Sequence, residues 1–399
     1  MTAADRKSSA RVVSGSGRSD AFVTGGQAEG NGDLLPHLTE RSVRGKHIQS
    51  DRESCMERDI DVVRRAWGCL LGQIAGDSLG SQVEFKNEEE VRALYPAGMD
   101  DLEGSALYRT LPGQPTDDSE MALALARTLA EDGQFRPERI RAAYVDWLRS
   151  HPVDFAHTVF RALHGKPDVR SESNCALMRV SPLGIFGASL VPDTALPCDD
   201  GVEPDWKGVI SDEGMKRLAL WATEEAALTS PHPLCLAASA AYVSALACGV
   251  RSGSRRVMLN IALAVTEYLP LWNDAVTEEA ALRVKNCLVF AQQKRPGDYQ
   301  NDMSHVLTAL HNGFWQLLHA ADAGEGVRDT VMKGGDAAAN GAVAGALLGA
   351  ALDIDSFPAQ WTDAVLACRP AADRPDVPQP RPERFWPLDF MPLAERLLG

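Results

Sequence analysis

Residues 115–121, Pro-Thr-Asp-Asp-Ser-Glu-Met, lead directly into the apolar run Ala-Leu-Ala-Leu-Ala at 122–126. The run predicts a helix that Thr116 or Asp117 is suited to cap, and Asp117 with Glu120 has the spacing of a capping box. The same carboxylate and hydroxyl oxygens are the ligands that Mg²⁺ or Ca²⁺ prefers. One turn cannot complete the shell of such a cation, so a metal site needs further ligands from elsewhere in the chain.

The composition is that of a soluble globular protein. Of the 399 residues, 45% are apolar and 24% are charged, and the formal net charge of −15 argues against a nucleic-acid groove. No two of the eight cysteines have C-x-x-C spacing, so we expect reduced core thiols in a cytoplasmic protein rather than zinc ligands or disulfides. We expect no signal peptide and no membrane-spanning helix, since the most apolar segment, 341–352, is too short.

Residues 1–55 differ from the rest of the chain. Their seven glycines and eight serines, without a stable apolar period, predict an arm that is disordered in isolation. The arm is either a passive tail or a segment that orders on a partner. Residues 56–399 are predicted to form one domain, in which the Pro-rich segment 369–387 lies over the surface without regular structure.

Helical patterns dominate this domain and strand-like alternation is scarce, so the fold class is predicted to be all-α. Two helical segments carry ridges of glycines four residues apart: Gly68, Gly72, Gly76 and Gly80 within or next to 62–79, and Gly341, Gly345 and Gly349. Because a helical glycine costs about 1 kcal/mol relative to alanine, two such ridges predict two central helices that pack closely. The other predicted helices are 121–131, 137–150, 153–163, 213–228, 236–247, 254–268, 278–292, 304–321 and 357–367. Long loops are predicted at 85–115, 165–184 and 191–211.

Four segments, taken in order, resemble the ADP-ribosylglycohydrolase family. They are 72–80 (Gly-Gln-Ile-Ala-Gly-Asp-Ser-Leu-Gly) followed by Glu84, 116–119 (Thr-Asp-Asp-Ser), 174–184 (Asn-Cys-Ala-Leu-Met-Arg-Val-Ser-Pro-Leu-Gly), and 334–346, which begins Gly-Gly-Asp. The likeness covers about residues 62–368. It implies a compact orthogonal helical bundle with long loops around a cleft that holds two Mg²⁺ ions. It also implies an enzyme that removes ADP-ribose from a modified side chain, often arginine, or acts on related ADP-ribosyl compounds.

The resemblance also implies roles for single residues. It makes Thr116, Asp117 and Asp118 the first ligand turn, Asp336 the first carboxylate of a second turn, and Glu84 an acidic residue at a metal or at the scissile bond. Glu84, Asp117 and Asp118 are thereby the candidate catalytic residues. The implied substrate-binding residues are Asn174, Met178, Arg179, Gly184, His232, Gly334 and Gly335. Two of these have an alternative, because Arg179 suits a structural ion pair as well as a phosphate and His232 suits a helix start.

One departure from the family pattern falls in the second ligand turn. The family usually reads Gly-Gly-Asp-Thr-Asp-Thr-Asn there, whereas residues 334–340 read Gly-Gly-Asp-Ala-Ala-Ala-Asn. Ala338 and Ala339 stand where the resemblance places a metal-binding Asp and Thr, and a methyl group offers no ligand. Since Mg²⁺ demands octahedral oxygen coordination, the second site is predicted to be weak or empty. Three adjacent alanines suit both a natural degenerate member and an engineered replacement.

Three functional hypotheses follow. The first is an ADP-ribosyl hydrolase, with full or residual activity. The second is a member that binds ADP-ribose or a protein partner without turnover. The third is an immunity protein whose arm, residues 1–55, enters the cleft of an ADP-ribosyltransferase toxin. Neither nucleic acid nor a membrane is expected as a partner.

Overall fold

The computed structural model describes the backbone of residues 40–196 and 206–399, and the side chains of this part except at 40–59 and 207. The chain divides into two units, Met1–Glu53 and Ser54–Gly399, and the fold described below is that of the second. Most of the predicted arm, residues 1–55, lies outside the described residues, so its disorder and partner binding stay predictions. Helix α1 (Glu40–Gly80) begins before the predicted segment 62–79.

The described part of the chain is helical. The helices after α1 are α2 (Glu88–Leu94), α3 (Asp117–Asp132), α4 (Pro137–Arg149), α5 (His157–Leu163), α6 (Ser181–Phe186), α7 (Trp206–Ile210), α8 (Glu213–Ala227), α9 (Pro233–Ser252), α10 (Arg255–Trp272), α11 (Glu278–Ala291), α12 (Val306–His319), α13 (Ala323–Val331), α14 (Ala337–Leu352), α15 (Ala359–Ala367) and α16 (Phe390–Leu398). Short 3₁₀ turns lie at Leu177–Arg179, Gly187–Leu190, Asp193–Ala195, Ile354–Ser356 and Glu383–Phe385. Within residues 40–196 and 206–399 there is no strand, only an isolated bridge between Ser173 and His305. The predicted all-α class is confirmed.

The two glycine ridges pack against each other along antiparallel helices α1 and α14. Gly76 is so close to its partner that an added Cβ would lie 2.1 Å from the carbonyl oxygen of Gly341. The same close approach is found between Gly72 and Gly345, and Gly80 lies against Ala337. The C-terminal end of α1 therefore meets the N-terminal end of α14, where the second predicted ligand turn begins.

Helix α9 forms the centre of the core, and it packs against α6, α8, α10, α11 and α14. By length and composition alone α9 could cross a membrane, but 94% of its apolar window is buried inside the protein. A core helix has this property, so α9 is weak evidence for a membrane span. The six cysteines that the structure describes are free and buried, as predicted for reduced core thiols.

The N-terminus of α3 is capped by a residue of another helix. Oδ2 of Asp77, on α1, accepts hydrogen bonds from the backbone N–H groups of Thr116 and Ser119, both at 3.0 Å. The side chain of Thr116 makes no capping bond, and Glu120 accepts instead from Arg381 at 2.6 Å. Thr116 does occupy the N-cap position of α3, but the predicted side-chain capping bond and capping box are wrong, because a carboxylate from another helix already satisfies the free N–H groups.

Short helices occupy parts of the segments predicted as long loops. Helix α2 lies in 85–115, α6 begins in 165–184, and α7 lies in 191–211. A capping box starts α2, since Asn87 and Glu90 exchange side chain–backbone hydrogen bonds at 2.9 and 2.8 Å. The segment 369–387 has a single 3₁₀ turn, close to the irregular course predicted for it.

Candidate active site

Seven of the predicted site residues line one cavity of about 290 Å³. Its walls come from the loop after α1, the first turn of α3, the loop before α5, the segment 173–178 and the first turn of α14. The lining residues are Glu84, Phe85, Tyr108, Thr116, Asp117, Asp118, Asp154, Phe155, Ala156, His157, Thr158, Ser173, Asn174, Cys175, Met178, Ser304, Asp336 and Ala338. All five predicted metal ligands are in this set, so the structure brings the two distant turns together.

The side chain of Asp77 holds the first ligand turn, residues 116–118, through hydrogen bonds. The Thr116 hydroxyl donates to Oδ1 of Asp77 at 2.7 Å and lies 3.0 Å from Oδ2 of Asp118. Asp117 and Asp118 are 6% and 4% exposed. Oδ1 of Asp118 is buried without a hydrogen-bond partner among the described residues. This turn therefore holds a carboxylate oxygen that the protein itself does not satisfy.

The second turn is held by Glu84 and Asn174. Oε2 of Glu84 accepts the backbone N–H of Ala338 at 2.7 Å, which caps the N-terminal end of α14. The side-chain amide of Asn174 donates to Oδ2 of Asp336 at 3.0 Å. These two bonds fix the carboxylates of Glu84 and Asp336 at the cavity.

Burial and mutual repulsion make the carboxylates of this site hard to ionise together. Burial, followed by neighbouring carboxylates, holds the pKa of Asp117 and of Asp118 well above the ordinary value of 3.8. Burial and then Asp336 raise the pKa of Glu84 well above its ordinary value of 4.5. Burial also raises the pKa of Asp77 to about 6, although its hydrogen bonds from Thr116 and Ser119 act in the opposite direction. No Lys or Arg is among the described residues that line the cavity, so neither an ammonium nor a guanidinium group in the lining compensates these charges.

The donor atoms suit one hard cation. Carboxylate and hydroxyl oxygens are preferred by Mg²⁺, and the unpartnered Oδ1 of Asp118 belongs to a cluster that lacks a counter-charge. In the described ranges, no group of three or more His, Cys, Asp or Glu side chains is already arranged around a metal position. Ala338 and Ala339 are buried at 3% and 1% exposure and supply no ligand. The donor chemistry of the first turn therefore suits a cation, whereas Ala338 and Ala339 give the second turn no side-chain donor.

Two predicted substrate-binding residues, Asn174 and Met178, line the cavity. Arg179 does not, because its side chain is fully buried and pairs with Glu225 at 2.9 Å. This is the structural ion pair that the sequence left open as an alternative. Gly184 lies in α6 against Leu246, where an added Cβ would lie 2.5 Å from the Leu246 Cβ.

The other three predicted substrate-binding residues also lie outside the lining. His232 is the N-cap of α9 and accepts from the backbone N–H of Leu234. Gly334 and Gly335 have φ angles of +67° and +72°, which glycine adopts without strain. The backbone of Gly335 makes two hydrogen bonds of 2.8 Å with the loop after α1. These glycines hold the second ligand turn in place, and direct substrate contacts for all seven residues stay predictions.

Sequence reasoning missed residues on the side of the cavity formed before α5. Tyr108 donates a hydrogen bond of 2.8 Å from its hydroxyl to Oδ2 of Asp154, and both line the cavity together with His157. Burial, followed by the Glu84 charge, raises the pKa of Tyr108, which keeps its hydroxyl as a donor. Asp77 was visible in the Gly-rich segment 72–80, but no periodic pattern pointed to Tyr108 or Asp154.

The family model described as ADP-ribosylglycohydrolase matches residues 58–376 of this sequence. The chain belongs to this family. Its members are glycohydrolases that act on ADP-ribose linkages, so the family assignment makes this protein a hydrolase. The expected family resemblance and fold type are thus confirmed.

Relatives from two bacteria carry related names. An ADP-ribosyl-[dinitrogen reductase] glycohydrolase of Rhodospirillum rubrum is 30% identical over 74% of this chain and 88% of that protein. The ADP-ribosylarginine hydrolase Tri1 of Serratia proteamaculans is 26% identical, but over only 33% of this chain and 39% of that protein. A solved chain from an ADP-ribosylglycohydrolase-related protein complex superposes with a TM-score of 0.57 at 23% identity, and the match covers 85% of this chain and 98% of that one. This last likeness shows the fold alone.

Proposed function

We propose that this protein hydrolyses the N-glycosidic bond between ADP-ribose and an arginine side chain of a modified protein, using one Mg²⁺ at the first ligand turn. The observation that carries the proposal is Oδ1 of Asp118, a buried carboxylate oxygen without a partner among uncompensated carboxylates. Leaving an ionised group buried and unpaired is strongly unfavourable. A divalent cation offsets that cost. The arginine linkage is supported by the names of the Tri1 relatives, each similar to part of this chain.

The residues that would hold the cation are Thr116, Asp117, Asp118 and Asp336. When bound, the cation supplies positive charge that polarises an oxygen of the ribose or of a water. Asn174 orients the Asp336 carboxylate for that role through its hydrogen bond of 3.0 Å.

Glu84 is suited to move a proton. Its Oε2 is engaged by the Ala338 N–H, and burial with the Asp336 charge raises its pKa well above the ordinary value, which favours the protonated form of the carboxyl group. Cleavage at a ribose passes through an oxocarbenium-like state that is helped by protonation of the leaving group. Glu84 would donate its proton to the departing nitrogen as the carbon–nitrogen bond breaks, and the Asp117 carboxylate would stabilise the positive charge that develops on the sugar. A water would then add to the anomeric carbon and return a proton to Glu84.

The test is release of ADP-ribose from an arginine-modified peptide, followed by mass spectrometry with Mg²⁺ and with EDTA. We expect release that EDTA abolishes and that Asp118→Asn removes. Asp274→Asn, which alters an exposed carboxylate outside the cavity lining, serves as the matched control and keeps the wild-type rate. Absence of release at every Mg²⁺ concentration, or release that is indifferent to both EDTA and Asp118→Asn, would refute the proposal.

A second candidate function is binding of ADP-ribose without turnover. The buried Ala338 and Ala339 favour it, because they offer neither the carboxylate nor the hydroxyl that the family pattern places in the second turn. On this hypothesis the wild-type protein binds ADP-ribose in calorimetry but releases none, and the double variant Ala338→Asp, Ala339→Thr gains activity. Equal rates for the two proteins would contradict it.

Immunity against an ADP-ribosyltransferase toxin and a cytoplasmic location stay predictions from the sequence. The toxin hypothesis depends on residues 1–55, and residues 1–39 are outside the described part. Deletion of residues 1–55 without any loss of binding to such a toxin would end it.

A further inference from the structure

We propose that Arg381, in the C-terminal segment, is a positioning residue that holds the first ligand turn and the loop 151–156 in register. The proposal rests on the function proposed above, since it concerns the site at which the cation would bind. Arg381 is not among the residues that line the cavity. It acts through Glu120, one helical turn after Asp117 on α3.

The guanidinium of Arg381 uses all five of its N–H donors. Nε and Nη2 donate to the two oxygens of Glu120 at 2.6 and 2.8 Å, which is a bidentate pair. Nη1 donates to the carbonyl oxygens of Ser150 and His151 at 2.8 and 2.9 Å, and Nη2 also donates to the Ser150 hydroxyl at 2.8 Å. Trp147 completes the arrangement by donating from Nε1 to Oε2 of Glu120 at 2.8 Å. The planar guanidinium therefore fixes both the distance and the orientation of Glu120 relative to residues 150–151.

The residues that Arg381 binds belong to two segments, and each segment forms one wall of the cavity. Glu120 belongs to the first turn of α3, which carries Asp117 and Asp118. Ser150 and His151 end α4 and begin the loop that carries Asp154 and Phe155, both of which line the cavity. One side chain thus ties together two walls that are about thirty residues apart in the sequence.

The same segment reaches the ligand turn from its other side. The Gln114 side chain donates to the carbonyl oxygen of Gln379 at 3.0 Å and accepts from the backbone N–H of Leu111 at 2.9 Å. Gln114 stands two residues before Thr116. The C-terminal segment therefore contacts the chain both before and after the sequence Thr-Asp-Asp at 116–118.

Arg381 lies beyond the part of the chain that matches the family model, which ends at residue 376. The pair is buried, with side-chain exposures of 2% for Arg381 and 1% for Glu120. Burying an ion pair commonly stabilises a fold no more than apolar residues would, and Phe385 and Phe390 already anchor the segment through apolar burial. Apolar packing holds the segment in place but does not orient the ligand turn. The directional hydrogen bonds of the guanidinium do.

A matched control exists on the same helix. Arg127 binds the same C-terminal segment through Asp389 at 2.8 Å and through the Trp386 carbonyl at 2.9 Å. It lies ten residues after Asp117, about 15 Å along the helix. We therefore expect loss of Arg127 to loosen the C-terminal segment without displacing the ligand turn.

The experiment compares Arg381→Gln, Arg381→Lys and Arg127→Gln with the wild-type chain. Mg²⁺ binding is measured by calorimetry, and amide hydrogen exchange is measured without a cation. For Arg381→Gln we expect the Kd for Mg²⁺ to rise about tenfold, the low end for groups that orient ligands. We also expect faster exchange confined to 115–121 and 151–156. Arg381→Lys keeps the charge but loses the planar guanidinium, so it shows the same pattern at smaller amplitude and replaces Arg381→Gln if that variant does not fold. Arg127→Gln keeps the Kd within about twofold even where its melting temperature falls.

A folded Arg381 variant with wild-type Kd and wild-type exchange at 115–121 would overturn the inference. Exchange that rises evenly over the whole chain would do so as well, because it indicates general destabilisation. If the wild-type chain binds no Mg²⁺, the proposed function fails, and exchange at 115–121 still decides the role of Arg381.

Discussion

Substitution of Gly76 by alanine tests the close packing that positions both ligand turns. The added Cβ would lie 2.1 Å from the Gly341 carbonyl oxygen, where ordinary contact begins at 3.4 Å. Helices α1 and α14 must therefore separate by about 1 Å, because the obstructing atom is backbone and cannot rotate away. Overpacking of this kind costs typically 1–3 kcal/mol and occasionally more, whereas replacing a helical glycine gains about 1 kcal/mol. Because the obstruction is rigid, we expect the upper part of that range and a net loss of about 2 kcal/mol.

The assay is urea unfolding followed by circular dichroism, with Mg²⁺ binding as a second measurement. Gly249→Ala is the matched control, since it is also buried in a helix but its added Cβ meets the thioether of Met258 at 2.7 Å. That flexible side chain can move, so the control should be neutral or slightly stabilising. Gly76→Ala should also weaken cation binding, because Asp336 begins the displaced helix. A Gly76→Ala protein as stable as the Gly249→Ala protein would refute the reasoning.

Three further predictions concern the charges. Without a cation, the raised pKa values of Asp77 (about 6), Asp117 and Asp118 mean that the folded state binds more protons than the unfolded one, so stability falls as pH rises from about 4 through 6 and above. Thermal melts should show this slope and lose it with saturating Mg²⁺; a flat profile without the cation would contradict it. Arg179→Met should cost about 3–5 kcal/mol in urea unfolding, because it leaves the fully buried Glu225 without its charged partner; a loss below about 1 kcal/mol would argue against a structural pair. Glu84→Gln should lower the hydrolysis rate about 10²- to 10⁴-fold without lowering the stability of the cation-free protein, whereas an unchanged rate would remove Glu84 from the proton transfer.

Much of the fold could be predicted from local sequence patterns. The glycine ridges predicted two closely packed central helices, and α1 and α14 meet along those ridges. The predicted helices 137–150, 213–228 and 278–292 agree with α4, α8 and α11 to within one residue at each end. These segments have a clear apolar stripe or a strong start such as Pro137, and such signals do not depend on the rest of the fold.

Helices held by tertiary contacts were harder to find. Helix α13 (Ala323–Val331) contains Gly324 and Gly326, which lower its helix propensity; it packs on α12 and α14, and its one local start signal is the Asp322 cap on the Glu325 N–H. Helix α2 did have a local signal, the Asn87 and Glu90 capping box, which the prediction of a long loop at 85–115 overlooked. The cap of α3 by Asp77 had no local signal, because its partners lie 39 and 42 residues away.

Sequence alone specified the helical class, the family resemblance and the acidic character of the two turns, because apolar period and side-chain chemistry are properties of short segments. It also located the missing donors at Ala338 and Ala339. Tertiary structure decided which oxygens face one another and that Asp118 Oδ1 is left without a partner among the described residues. It also decided that Arg381 reaches α3 from 261 positions further along the chain. No local pattern encodes such contacts, because burial and the direction of each hydrogen bond arise only when the helices pack.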